Sequence, residues 1–407
     1  MAYNSNASSS SDGPKLTGAG KLIVFLFIAG CLYGAWFLYK QKTGGANASG
    51  ATTSGGGGFF SSSVSAEIGI AYGTEKERWL KWAVEQFHQT SDGKNIKINL
   101  IPMGSIEGAH ALLNGDQRIH VWTPASSVYK ESFVQDWQIK YNNNPILKED
   151  QLVLTPMVFV MWDERYQAFQ QKYKTVNFDT ISQALQEKGG WSTIANKPEW
   201  GLFKFGHTQP NESSSGLMTL VIAAYAHAGK TKNLTLTDVV DTHFQTWLGN
   251  LERGADTSSN STGNLMREMV LKGPSAYDAL FVYESVVIDY LKNAEGRWGT
   301  LKVVYPDYNA WNDSPYYIID ATWNSSDQRK AAQAFLDFLL TDPIQRGALD
   351  HGFRPANPNV PIKFPGSPFV DDTKYGVQVD IARACEPPKA EVVSNLLASW
   401  QRAQSGR

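Results

Sequence analysis

Strand-like and helix-like segments alternate from Ala66 onward, and that alternation constrains the fold more than any other feature of the chain. Glu67 to Tyr72 (EIGIAY) is strand-like. Thr74-Glu-Lys-Glu77 has the pattern of a capping box, and Trp79, Trp82, Ala83 and Phe87 then recur at helical spacing on one face. Ile96 to Pro102 and Arg118 to Thr123 read as the next strands, with a short helix between them. This βαβαβ order predicts a largely parallel sheet flanked by helices. Roughly 340 residues remain from Ala66 to the end, too many for one compact core and suited to two lobes. Val153 to Trp162 (VLTPMVFVMW) spans only 10 residues, too short for a bilayer, and predicts a buried strand passing from one lobe to the other.

Before that region, residues 1–20 are rich in Ser, Asn and Gly and predict a disordered tail. Leu22 to Tyr39 is an uncharged run of 18 residues bounded by Lys21 and by Lys40 with Lys42, so residues 21–42 predict one N-terminal transmembrane anchor. Ile28-Ala29-Gly30-Cys31 offers the alternative of a cleaved lipoprotein acylated at Cys31. The flanking lysines balance and do not settle orientation. Residues 43–65 form a Gly/Ser/Thr linker with a reach on the order of 25 Å, which predicts a tethered domain that reorients above the membrane. Cys385 is the only other cysteine, so the folded part has no internal disulfide.

Composition narrows the function classes. The formal net charge of −2 gives no basic face for nucleic acid. No G-x-S-x-G elbow, H-E-x-x-H, P-loop or paired-cysteine site occurs, so no catalytic residue, metal or cofactor is expected. His207 lies near Ser214 in sequence, but a structural histidine is the expectation over a general base.

Thr208-Gln-Pro-Asn-Glu-Ser-Ser-Ser-Gly216 lies between the strand-like Trp200 to Gly206 and a helix marked by Leu217, Val221, Ala224, Tyr225 and Ala228. A helix start presents free N–H groups and a positive dipole end, which suits an anion or a carbonyl oxygen. Ser213, Ser214 and Ser215 add donors, and Gly216 is expected to let a ligand approach the backbone. Two further strand-to-helix junctions join this set of candidates: Tyr72-Gly73-Thr74, and Thr123 to Ser127 with Ser126 and Ser127 as ligand groups. The alternative for Thr74, Ser126 and the Ser loop is helix capping alone. Asp256 to Gly263 (DTSSNSTG) reads as a plain surface loop.

Together these segments resemble the bacterial extracellular solute-binding proteins, the two-lobed receptors of ABC importers, and most closely their molybdate-binding-like branch. Three stretches carry the resemblance: the Ser-rich loop, Ile119 to Ser127, and Ala331 to Gln345 followed by Gly352-Phe-Arg-Pro-Ala356. It extends over about Glu67 to Pro358. It implies an α/β, type II periplasmic-binding-protein fold, with two lobes, a two-strand hinge and a ligand held between the lobes. Val153 to Trp162 and Leu301 to Tyr305 would be the hinge strands, with the first lobe at about 66–155 and 306–407 and the second at about 156–305. The resemblance also implies an extracytoplasmic domain on a single-pass inner-membrane protein, an ABC permease as partner, and a small polar ligand, either an oxyanion or a hydroxylated or aminated solute. Tyr283 and Glu284 match a pair that faces the cleft in relatives. A carboxylate there disfavours a free oxyanion, and Trp122, Tyr72 and Tyr283 would also line the cleft. A salt bridge is the alternative for Glu284, and a sensor or protein-interaction module on the same fold is the alternative to transport.

Overall fold

A computed structural model of the chain describes residues 65–405. The expected tail, anchor and linker lie outside the described residues. Among the described residues no helix is long and apolar enough to cross a membrane.

Eleven strands are described: β1 (Ala66–Tyr72), β2 (Ile96–Pro102), β3 (Val121–Thr123), β4 (Ile146–Gln151), β5 (Val153–Leu154), β6 (Met157–Trp162), β7 (Phe205–Gly206), β8 (Ala279–Tyr283), β9 (Leu301–Val304), β10 (Pro315–Ile319) and β11 (Arg354–Pro355). The helices of eight or more residues are α1 (Glu77–Phe87), α2 (Ser105–Leu113), α3 (Lys130–Tyr141), α4 (Asp163–Tyr173), α5 (Phe178–Gln186), α6 (Ser214–Ala228), α7 (Thr242–Gly254), α8 (Thr262–Lys272), α9 (Glu284–Glu295), α10 (Ser326–Leu339), α11 (Asp342–Leu349) and α12 (Ala390–Ser405).

The strands form two main sheets. In the first, of order β2-β1-β3-β10-β4, β1 runs parallel to β2 and β3 while β10 is antiparallel to β3 and β4. In the second, of order β7-β8-β6-β9, β6 is antiparallel to β8 and β9, and β7 is parallel to β8. Every residue of β6 is buried, as both faces of a central strand under helices require. Ile68, Ile70 and Tyr72 alternate onto one face of β1 and share a core with Trp79, Leu80 and Phe87 of α1. Trp82 departs from the expected helix face: it is only partly buried and lies over Gly347, where a Cβ would come within 2.2 Å of its ring.

The apolar run Val153 to Trp162 is not one strand. Pro156 has no N–H to donate, and the chain breaks there into β5 and β6 as it leaves the first sheet for the second. The return path runs from β9 to β10. Thr155 and Asn312 pair antiparallel where the two connections cross, through Thr155 N to Asn312 O (3.1 Å) and Asn312 N to Thr155 O (2.9 Å). The Asn309 amide braces the same crossing, accepting from Met157 N at 3.0 Å and donating to Met157 O at 2.7 Å.

Three sequence expectations are corrected. Thr74 and Glu77 form no capping box, because a 3-10 turn over Thr74–Lys76 precedes α1 and Gly73 stands at its start. The strands expected over Trp200 to Gly206 and Arg118 to Thr123 shrink to Phe205–Gly206 and Val121–Thr123. The tail does not stay with the first lobe: α12 buries Val392, Val393, Leu396 and Trp400 and packs on α6 and α7, so the chain crosses between the lobes a third time.

Candidate functional site

The Ser-rich loop stands where the sequence places it, at the start of α6. Ser213 is the residue before the helix, yet its side chain caps no N–H. Capping alone therefore does not explain this serine. Ser215 is the hub of a buried hydroxyl network, with its Oγ 2.6 Å from Thr208 Oγ1, 2.6 Å from Thr262 Oγ1 and 3.2 Å from Ser213 Oγ. Ser214 is 1% exposed and its Oγ has no hydrogen-bond partner. Gly216 serves the loop instead of a ligand: a Cβ there would lie 2.2 Å from Thr208 O and 2.8 Å from Pro210 N, so the loop's own backbone fills the space.

Two other buried hydroxyls at strand ends also lack partners. Thr123 ends β3, is fully buried, and leaves Oγ1 without a partner. Tyr283 ends β8; its hydroxyl lies beside Ser215 without making a hydrogen bond, and burial holds its pKa well above the ordinary value. Buried hydroxyls without partners are uncommon, because each forfeits its hydration for nothing in return. Thr123 comes from the first lobe and Ser214 and Tyr283 from the second, with Ser214 in the first turn of α6.

The first-lobe junctions divide. Thr74 Oγ1 meets Ser261 Oγ of the second lobe at 2.8 Å. Ser126 does cap its own turn, accepting from Val128 N at 3.3 Å. The Ser127 N–H donates to Asp313 Oδ1 at 2.8 Å. Tyr72 belongs to the first-lobe core, where burial raises its pKa, and Trp122 is also core, with its indole N–H donated to Ser105 O at 3.1 Å. Neither supplies the aromatic wall expected of the cleft.

Glu284 is likewise redirected. It is fully buried and takes a two-pronged contact from Arg354, Nε to Oε2 at 2.9 Å and Nη2 to Oε1 at 2.7 Å, with the Tyr305 hydroxyl donating as well. The ion pair joins the start of α9 to the Gly352-Phe-Arg-Pro turn, so this carboxylate is not available to a ligand. His207 takes the structural role expected of it. Both ring nitrogens face acceptors, Nδ1 to Thr208 O at 2.9 Å and Nε2 to both Glu252 oxygens at 3.2 Å, an arrangement that only the imidazolium satisfies. Burial alone would lower its pKa, but the Glu252 carboxylate outweighs burial and raises it.

Sequence reasoning missed several participants. Lys76 is fully buried, donates to Pro124 O at 3.1 Å and pairs with Glu75; burial lowers its pKa. It sits in a junction already singled out, where the sequence pattern gave this lysine no role. Ser261 and Thr262 belong to the stretch read as a surface loop, and its run of hydroxyls was the available signal. The Glu212 carbonyl accepts from the N–H groups of Ile106 (3.0 Å) and Glu107 (3.2 Å) at the start of α2, tying the Ser loop to the first lobe. Gly104 makes that approach possible, since a Cβ there would stand 2.3 Å from the same carbonyl oxygen. Among the described residues no group of three or more His, Cys, Asp or Glu side chains is arranged to hold a metal ion.

A family model described as bacterial extracellular solute-binding protein matches residues 68–354. No curated protein matches the chain. Among solved structures, the sulfate-binding protein SubI from Mycobacterium tuberculosis H37Rv is 15% identical with a TM-score of 0.54, covering 84% of this chain and 99% of that one. A periplasmic thiamin binding protein is 11% identical with a TM-score of 0.56, covering 83% and 96%. The ferric binding protein from Campylobacter jejuni is 14% identical with a TM-score of 0.51, covering 83% and 97%. At such identities the likeness is one of fold, an α/β periplasmic-binding-protein fold, and the ligands named for these neighbours differ.

Proposed function

The chain belongs to the bacterial extracellular solute-binding proteins, and we propose that it captures a small polar solute, an oxyanion by preference, between its two lobes. The observation that carries this reading is the uncapped start of α6 together with the unpartnered buried hydroxyls of Thr123, Ser214 and Tyr283. Hydroxyl and N–H donors at a helix N-terminus bind an anion without a free cationic side chain. Two acidic groups that would repel an anion are already paired, Glu284 with Arg354 and Glu75 with Lys76. The strand order with antiparallel β10 supports the type II arrangement. Delivery to an ABC-type permease follows from the family, and the run from Leu22 to Tyr39 supports a tether that keeps the domain extracytoplasmic. Mass spectrometry of the purified protein checks the tether: an intact Lys21 to Lys42 segment is expected, and an acylated N-terminal Cys31 would replace it with a lipid anchor.

A thermal-shift screen with sulfate, molybdate, phosphate, sugars, amines and amino acids tests the ligand class. An oxyanion at one hundred times its dissociation constant should stabilise the domain by about 2.7 kcal/mol. A shift produced by sugars alone would overturn the preference for anions.

A further inference from the structure

A solvent-accessible pocket begins at Ser126 and Ser127, in the Thr123 to Ser127 loop. It has a volume of about 410 Å³, within the range of pockets that hold organic molecules and far more than a bare oxyanion needs. The first lobe contributes Ser126 to Val128, and α6 contributes Met218 and Val221, one helical turn apart. The crossing connections supply Leu154, Trp311 and Asp313, and the tail forms the remaining wall with buried Cys385 and exposed Glu386 and Pro387. That wall is fastened by backbone hydrogen bonds, Cys385 N to Asn309 O at 2.6 Å, Asn309 N to Arg383 O at 2.8 Å and Glu386 N to Thr231 O at 3.0 Å.

The chemistry of the lining differs from that of the hydroxyl cluster. Its walls are mostly apolar, it holds two carboxylates, and no Lys, Arg or His lines it. Each carboxylate is positioned by one N–H, Asp313 by that of Ser127 and Glu386 by that of Asn233. Among the described residues neither makes an ion pair within 4 Å with a basic side chain. Arg354 does approach the Trp311 ring, 5.1 Å from its centroid, but its charge is already matched by Glu284. Lys76 also feels the Asp313 charge, and it is paired with Glu75. Burial pushes the Cys385 thiol up to about 12, so it stays neutral and adds no charge of its own.

We propose that this cavity is a second binding site, for a compact organic ammonium ion with an apolar body. The ammonium group would lie between Asp313 and Glu386, with the body against Val221, Met218, Leu154 and Trp311. A partly desolvated cation gains both from the carboxylates and from an aromatic face. The walls come from both lobes and both crossing connections, so a guest touches every part that moves when the lobes part. By linkage, such a guest and a ligand in the hydroxyl cluster would each strengthen the other's binding.

Calorimetric titration of the full chain with benzylammonium and with benzyl alcohol, which has the same shape without the charge, tests the proposal. Benzylammonium should bind saturably and benzyl alcohol at least about tenfold more weakly. Asp313→Asn and Glu386→Gln keep the acceptors for Ser127 N and Asn233 N, and each should weaken the ammonium about tenfold with little change for the alcohol. Val221→Phe, which fills the cavity, should abolish binding of both. Ser214→Ala should leave benzylammonium within about twofold, so loss of oxyanion binding and loss of this site are separate results. Equal affinity for the two probes, no saturable binding of benzylammonium, or indifference to both Asp313→Asn and Val221→Phe overturns the proposal.

Discussion

Ser214 and Ser215 are adjacent and both buried, yet they do opposite work. Ser215 bonds to three other hydroxyls, whereas the Ser214 hydroxyl bonds to none. Removing a partner from a buried network costs about 1–3 kcal/mol, while removing an unsatisfied group costs little or nothing. Ser215→Ala should therefore lower stability in denaturant unfolding by about 1–3 kcal/mol, and Ser214→Ala should leave it within about 0.5 kcal/mol. Glu284 gives a second contrast. Glu284→Gln strands the Arg354 guanidinium in the interior, a change that typically costs about 3–5 kcal/mol. Measured by the same unfolding, it should act as a folding defect with no preference for one ligand charge over another.

Between elements, the contact of the Ser loop with the start of α2 depends on one glycine. A methyl group at position 104 would push the Glu212 carbonyl away from the N–H groups of Ile106 and Glu107. Gly104→Ala should loosen the approach of the lobes, and small-angle scattering should show a larger radius of gyration than for the parent protein. At this scale the sequence is legible where periodicity is strong. Most of the α1 face and the passage of Val153 to Trp162 between sheets follow from spacing, although Trp82 leaves that face, Pro156 splits that passage in two and the strand before the Ser loop keeps only Phe205 and Gly206. What was not legible depends on contacts between distant residues. Thr74 meets Ser261 across 187 positions. Glu284 finds Arg354 across 70 positions, and α12 returns to the second lobe because its apolar face matches α6 and α7. Local pattern carries no information about such partners. The Ser loop was identifiable as a helix start, but which hydroxyls bond to each other and which stay free is settled only by packing.

For the molecule as a whole, the lobes meet through polar contacts that respond to pH. Arg78 on α1 pairs with Asp289 on α9 at 3.1 Å, and burial, opposed by Arg78, raises the Asp289 pKa from its ordinary 3.8 to about 6. The folded chain thus holds this proton more tightly than the unfolded chain does. The resulting contribution to stability is full below pH 3.8 and lost as pH rises through about 6. Asp289→Asn should flatten that part of the pH–stability profile and raise stability at pH 7.5 by on the order of 2 kcal/mol. His207 has the same sign: its raised pKa gives stability that is full below about 6.5 and lost once the imidazolium beside Glu252 titrates. The central claim is that free hydroxyls from both lobes and the uncapped start of α6 form one solute site. Titration calorimetry with molybdate, sulfate and phosphate, on the parent protein and on Ser214→Ala and Thr123→Ala, tests it most directly. The account predicts saturable one-site binding of at least one of these anions, weakened roughly 5- to 150-fold by either substitution. Saturable binding that neither substitution changes would contradict it, as would the absence of binding by all three anions.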